Sequence, residues 1–135
     1  MNYIDTDVLI HSIINQNIDL HLKINDLIEE MAKTNTFFIS LLTIQETSFV
    51  LAKLNQPNSF ITSKIQSLMS TLPVAYSYIE FIRALELAQT IGFKDFNDCL
   101  HVAIAEQHCS DLYPCNYKDF KRIQPLTPLK IHFIK

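Results

Sequence analysis

Tyr3-Ile4-Asp5-Thr6-Asp7-Val8-Leu9-Ile10 is a short apolar run that closes on a carboxylate and passes directly into a helix-compatible stretch. An acid delivered to the carboxyl end of a strand is where open α/β sheets place their chemistry. Two further acids, Glu46 and Asp98, stand in equally apolar surroundings, and an Asn/Asp pair follows at Asn116 and Asp119. Acids scattered through apolar contexts point to a shared metal site.

Outward from that opening, strand and helix signals alternate. Residues 2–5 read as a strand, and a helix follows over about residues 7–15. A second helix is predicted from Asp19, taken as its N-cap, to Lys33, because Leu20, Ile24, Leu27, Ile28 and Met31 recur at helical spacing. The β-branched and aromatic run at 36–40 reads as a strand. Helices are expected over 42–54 and from the Pro57-Asn58-Ser59 break to Ser70. Pro73 to Tyr76 reads as a short strand. Ile79, Ile82, Leu85 and Ala88 mark a helix stopped at Gly92 in an αL conformation. Residues 98–107 are helical, 111–113 a strand, and the tail holds one more strand near Ile123 or Ile131. This alternation predicts an α/β three-layer sandwich, a central mainly parallel sheet of four or five strands flanked by helices.

The bounds agree with one compact unit. A chain of 135 residues with 48% hydrophobic residues and a single glycine, Gly92, reads as one helix-rich globular domain spanning 1–135. No apolar run approaches the roughly 18 to 20 residues of a membrane span, and the opening lacks the basic and apolar regions of a signal peptide. A cytoplasmic location without membrane attachment is the expectation. Cys99, Cys109 and Cys115 are odd in number and lack CxxC spacing, so we expect reduced thiols. A Cys/His zinc site with His101 and His108 is disfavoured: Cys99-x-His101 is too tight for a helix, and His108-Cys109 point to different faces. These histidines read as polar helix residues.

Net charge is −3, which argues against a general nucleic-acid-coating protein. Its distribution is uneven, because Lys118, Lys121, Arg122, Lys130 and Lys135 fall in the last twenty residues beside one acid, Asp119. A basic rim beside an acidic pocket suits a phosphodiester, and a plain solvated face is the competing reading.

Each acid has a bland alternative. Asp5 is placed to cap the helix after it, and Asp98 can share a capping role with Asp95 and Asn97. Glu46 is harder to explain away. Leu42, Phe49 and Val50 lie at minus four, plus three and plus four, so its carboxylate projects from an apolar stripe. Burying it unpaired is costly, and either a cation or an edge of the core must relieve it.

Together the four segments resemble the PIN-domain ribonucleases. Ile4-Asp5-Thr6-Asp7-Val8-Leu9-Ile10 is similar to that family's opening motif, and Phe38-Ile39-Ser40 leading to Glu46 resembles its second. Phe96-Asn97-Asp98-Cys99-Leu100-His101-Val102-Ala103-Ile104-Ala105 is similar to its third, and Asn116-Tyr117-Lys118-Asp119-Phe120 resembles its closing element. Order, spacing and length match small bacterial members, including the VapC-type toxins of toxin–antitoxin pairs. The resemblance implies that Asp5, Glu46 and Asp98 are the catalytic, metal-binding acids, with Thr6 orienting the site. Either Asn116 or Asp119 is then the fourth ligand. Asp7 departs from the usual Asn, and Pro114-Cys115 replaces a hydroxyl-bearing pair. The resemblance also implies a homodimer and a small antitoxin partner.

These residue types suit the chemistry. Mg²⁺ and Mn²⁺ take oxygen ligands and are held by one or two carboxylates plus phosphate oxygens. Such an ion polarises a phosphoryl oxygen and activates water, so the expected reaction is metal-assisted in-line hydrolysis of RNA with no catalytic His required. Lys94, Lys118, Lys121 and Arg122 are the candidates for backbone phosphates. Phe93, Tyr113, Tyr117 and Phe120 are candidates for stacking on bases or, more commonly for such aromatics, for the core. Two alternatives stand beside this reading: an RNA-processing nuclease outside any toxin–antitoxin pair, and a catalytically weak binding module on the same fold.

Overall fold

The computed structural model describes residues 1–135. Strand β1 (Asn2–Ile4) leads into α1 (Thr6–Ile13) and α2 (Ile18–Lys33); β2 (Phe37–Phe38) leads into α3 (Leu41–Lys53) and α4 (Asn58–Met69). Helix α5 (Tyr78–Ile91) and α6 (Phe96–His108) then precede β3 (Asp111–Tyr113), α7 (Tyr117–Ile123) and β4 (Lys130–Ile131). The sheet order is β2-β1-β3-β4, with every pairing parallel.

Side-chain alternation along these short strands divides the core in two. Tyr3, Phe38, Leu112 and Ile131 face one layer, where they pack with Ala84, Leu87 and Ala88 of α5, Val102 to Ala105 of α6, and Phe120 and Ile123 of α7. Ile4, Phe37 and Tyr113 face the other, with Val8 and Leu9 of α1, Ile24 and Met31 of α2, and Leu68 of α4. Helix α3 bridges the two layers at one end of the sheet, since Leu42 belongs to the first and Ile44 to the second. The helices therefore flank a parallel sheet as expected, and all three layers are present.

Local differences from the sequence expectation have physical causes. The N-cap of α2 is Asn17, not Asp19; its extended backbone lets its side chain accept from Leu20 N–H, while Asp19 sits in the first turn, where a negative charge complements the helix dipole. Pro73 to Tyr76 makes no strand, only a single bridge between Ser40 and Val74. Leu72 at φ 56° turns the chain there, and Pro73 has no N–H to offer a second rung. Gly92 ends α5 at φ 106°, ψ 147°, which is not αL but a region open essentially to glycine alone, and a 3-10 turn at Phe93–Asp95 follows. The tail contributes a helix that the periodicity missed. Ile123, one of the two strand candidates, lies fully buried in α7, and only Ile131 lies in a strand.

Candidate active site

The carboxyl ends of the parallel strands deliver the acids to one end of the sheet. Asp5 follows β1 directly and is 4% exposed. It occupies the N-cap position of α1 yet its side chain makes no capping bond, which removes the bland explanation for it. Glu46 lies on α3, Asp98 in the first turn of α6, and Asn116 caps α7 with Asp119 in that helix's first turn. A cleft of about 670 Å³ is lined by Asp5, Thr6, Glu46, Asn97, Asp98 and Asn116, with Asp7 at its exposed rim. Phe49 and Val50, predicted to flank Glu46 on a buried stripe, line this cleft instead, and Phe49 is exposed. Glu46 thus reaches an edge of the core, and no lysine or arginine lines the cleft to neutralise it.

Asp98 stands between two groups of acids. On its far side Asp95, Asp98 and Asp119 each place a carboxylate oxygen within 4.8 Å of the others. Burial pushes the Asp98 carboxyl up to about 7, and Asp5, Asp119 and Asp95 reinforce the shift. Burial likewise raises Asp5 to about 6, with Asp7 and Glu46 adding to the rise and His101 opposing it. Glu46 behaves differently: burial raises it, but hydrogen bonds from His101, Thr6 and Asn97 outweigh that and hold it below the usual carboxylate range. These crowded carboxylates, with His101 against Glu46 and Asp5, Arg122 against Asp95, and no lysine or arginine lining the cleft itself, form an oxygen-rich donor set suited to a hard divalent ion.

Asn116 and Asp119, left as alternatives by the sequence, bond to each other. The Asn116 side chain donates from Nδ2 to Asp119 Oδ2 at 2.6 Å and accepts at Oδ1 from Asp119 N–H at 3.3 Å. Thr6 donates to Glu46 Oε1 at 2.6 Å, and Asn97 donates to Glu46 Oε2 at 3.0 Å.

Two participants escaped the sequence reading. Asp95 was weighed only as a cap, and it makes no capping bond. His101 was read as a polar helix residue but is 1% exposed, with Nε2 2.5 Å from Glu46 Oε1 and Nδ1 2.7 Å from the Tyr3 hydroxyl. The available signal was its position three residues after Asp98, on the same face of α6.

The basic candidates divide. Lys94 and Lys118 are exposed, and Lys94 lines a shallow depression that also contains Asn97 and Asp98. Lys121 lies over the Tyr117 ring at 5.2 Å. Arg122 is engaged, donating to Ile91 O at 2.6 Å and to Asp95 Oδ2 at 3.3 Å. Of the aromatics, Phe120 is core, Tyr113 stacks on His132 at 4.5 Å, Tyr117 meets the edge of Phe133, and Phe93 is exposed against Phe96.

The PIN domain family model matches residues 3–124. Among solved structures, the chain is similar to VapBC2 from Rickettsia felis bound to a DNA fragment from their promoter, with TM-score 0.75 and 23% identity over 100% of both chains. It is also similar to FitAcB from Neisseria gonorrhoeae, with TM-score 0.67 and 15% identity, covering 97% of this chain and 96% of that one. No curated protein matches the chain by sequence.

Proposed function

The chain belongs to the PIN domain family of nucleases, and from that premise we propose that it is a Mg²⁺- or Mn²⁺-dependent endoribonuclease, the toxin of a bacterial toxin–antitoxin pair acting in the cytoplasm. The observation that carries this reading is the cleft itself, which Asp5, Glu46 and Asp98 line together with no lysine or arginine among its lining residues. The antitoxin partner is supported by likeness to chains from VapBC2 and FitAcB complexes. No helix is long and apolar enough to cross a membrane.

Asp5, Glu46 and Asp98 would hold the ion, with Asp119 as the fourth ligand. Asn116 is the poorer candidate because its amide oxygen caps α7 and its nitrogen positions Asp119. A bound Mg²⁺ or Mn²⁺ supplies polarisation of the scissile phosphoryl group and a water of lowered pKa. The protein's own residues do the placing. Thr6 fixes Glu46, and Arg122 restrains Asp95 at the rim. Lys94 and Lys118, exposed beside the acids, receive the flanking phosphates and offset the repulsion between an anionic strand and an acidic cleft.

The test reads binding and cleavage together. Asp119→Ala is expected to weaken Mn²⁺ affinity by calorimetry and to slow Mn²⁺-dependent RNA cleavage in parallel. Asn116→Ala is expected to cost about 1 kcal/mol of stability through the lost cap, with a smaller effect on Mn²⁺ affinity. Wild-type protein that neither binds Mn²⁺ nor cleaves RNA in excess Mn²⁺ would refute the catalytic reading.

We assign the homodimer interface to α5, where Tyr78, Ile79, Phe81, Ile82 and Leu85 are all exposed. Such a face on a helix is far more apolar than a solvated surface needs to be. Light scattering of the wild type should give the mass of two chains, and Ile79→Glu should give one.

A further inference from the structure

Glu46 is the one acid of the cleft whose proton affinity falls, and the reason is a run of hydrogen bonds that reaches far behind the site. Ser40 caps α3 by accepting from Thr43 N–H at 3.1 Å. Its hydroxyl also lies 2.7 Å from the Tyr3 hydroxyl, which in turn lies 2.7 Å from His101 Nδ1. His101 Nε2 then meets Glu46 Oε1. Ser40, Tyr3 and His101 are 0%, 0% and 1% exposed. Three polar groups buried in a row cost stability unless each bond is made; Ser40 caps α3 and the Tyr3 ring packs in the core, whereas the His101 imidazole joins that pair to Glu46.

We propose that His101, set in place by Tyr3, is a positioning residue that aims Glu46 at the divalent ion and limits it to one ligating oxygen. The inference rests on the metallonuclease reading above. Tyr3 Oη can donate or accept, so it accommodates Nδ1 with or without a proton. Glu46 as a carboxylate can only accept, and Nε2 therefore carries the hydrogen that it receives. Oε1 then takes two donors, Thr6 Oγ1 at 2.6 Å and His101 Nε2 at 2.5 Å, which fill its two lone pairs. Oε2 accepts only from the exposed Asn97, at 3.0 Å, and keeps one lone pair free. That oxygen is the ligand.

The placement follows from the sequence. Tyr3 and Asp5 are two residues apart at the carboxyl end of β1, so the same alternation turns both toward α6. His101 is one helical turn beyond Asp98, which brings a ligand and the support of another ligand onto one face of α6. A partner behind a metal ligand commonly contributes 10- to 100-fold in metal affinity.

The test compares His101→Leu, His101→Gln and Tyr3→Phe/His101→Leu with wild type. Mn²⁺ affinity of each is measured by titration calorimetry, with melting curves in EDTA. His101→Leu should weaken Mn²⁺ binding roughly 10- to 100-fold while the protein remains folded. The double variant also removes the Tyr3 hydroxyl, which in His101→Leu keeps its bond to Ser40, so it should melt no higher than His101→Leu and bind Mn²⁺ no better. His101→Gln, whose amide can still donate to Oε1, should recover most of the affinity. Unchanged affinity in folded His101→Leu would overturn the positioning role and leave the nuclease reading intact. Wild type that binds no Mn²⁺ would overturn both. Independently of any metal, ¹⁵N imidazole spectra of the metal-free protein should show His101 Nε2 bonded to hydrogen, and a bare Nε2 would overturn the assignment.

Discussion

Replacing Asp98 with Asn is expected to reduce divalent-ion-dependent RNA cleavage by about 1,000-fold, the rate equivalent of the several kcal/mol that such an ion supplies. The same change should raise the melting temperature of the metal-free protein. Asp98 is the carboxylate shared between the Asp5 end of the cleft and the Asp95–Asp119 end, and burial with those three neighbours pushes its carboxyl up to about 7. An uncharged isostere relieves both the repulsion and the desolvation, so the fold gains while the ion loses a ligand. Cleavage of a structured RNA in Mn²⁺, beside thermal melts with and without the ion, reads both effects. Full activity in the mutant would contradict the mechanism.

Stability of the metal-free protein should fall as pH rises from about 4 to about 7, the reverse of what salt-bridged carboxylates produce. Asp5 and Asp98 have folded-state pKa values of about 6 and about 7, above the ordinary 3.8. Between the ordinary and the folded values the native state binds more protons than the unfolded chain, and each unit of difference costs about 1.4 kcal/mol by the upper end of the window. His101 acts in the same direction. Burial opposes its charge, but Tyr3, Glu46 and Asp5 hold its pKa well above the ordinary imidazole value, so the stability it adds is complete below about pH 6.5 and declines above it. Glu46, held low, contributes stability that is complete above its ordinary pKa of 4.5 and declines below it, so it opposes the trend only at the acid end of this window. Mn²⁺ needs the carboxylates deprotonated, so the stabilisation it brings should grow across the same window and reach about 2.7 kcal/mol at 100 times its Kd. Urea titrations at several pH values, in EDTA and in Mn²⁺, should give curves that diverge as pH rises. Parallel curves would mean that the ion does not bind these groups.

The strand-to-acid opening at Tyr3 to Asp5 was legible because a strand of alternating burial and a carboxylate at its end leave a direct trace in the sequence. The helix stretches were legible from their apolar spacing, and the shared cleft from three acids in apolar contexts. Helix α7 was not, since seven residues give too few turns for a period to show and prolines at 125 and 128 suggest irregular chain. The division of labour between Asn116 and Asp119 was hidden for a different reason: either side chain satisfies the spacing, and only the cap geometry of α7 decides that Asn116 is occupied. His101 was hidden because burial of a polar residue depends on partners, here Tyr3 and Glu46, that lie 98 and 55 residues away in sequence.

The sheet order carries a consequence for biosynthesis. β1 lies between β2 and β3, and its register joins Asn2 to both Phe37 and Asp111. At ~5–20 residues per second, the ribosome reaches Asp111 roughly 5 to 22 s after Asn2. Until then the central strand has one neighbour, and Asp5 waits without Asp98 or Asp119 beside it. Such long-range closure also makes for slow folding. The acidic cleft is accordingly among the last features of the chain to form, because its Asp5 edge is made at the start of synthesis and its Asp119 edge near the end.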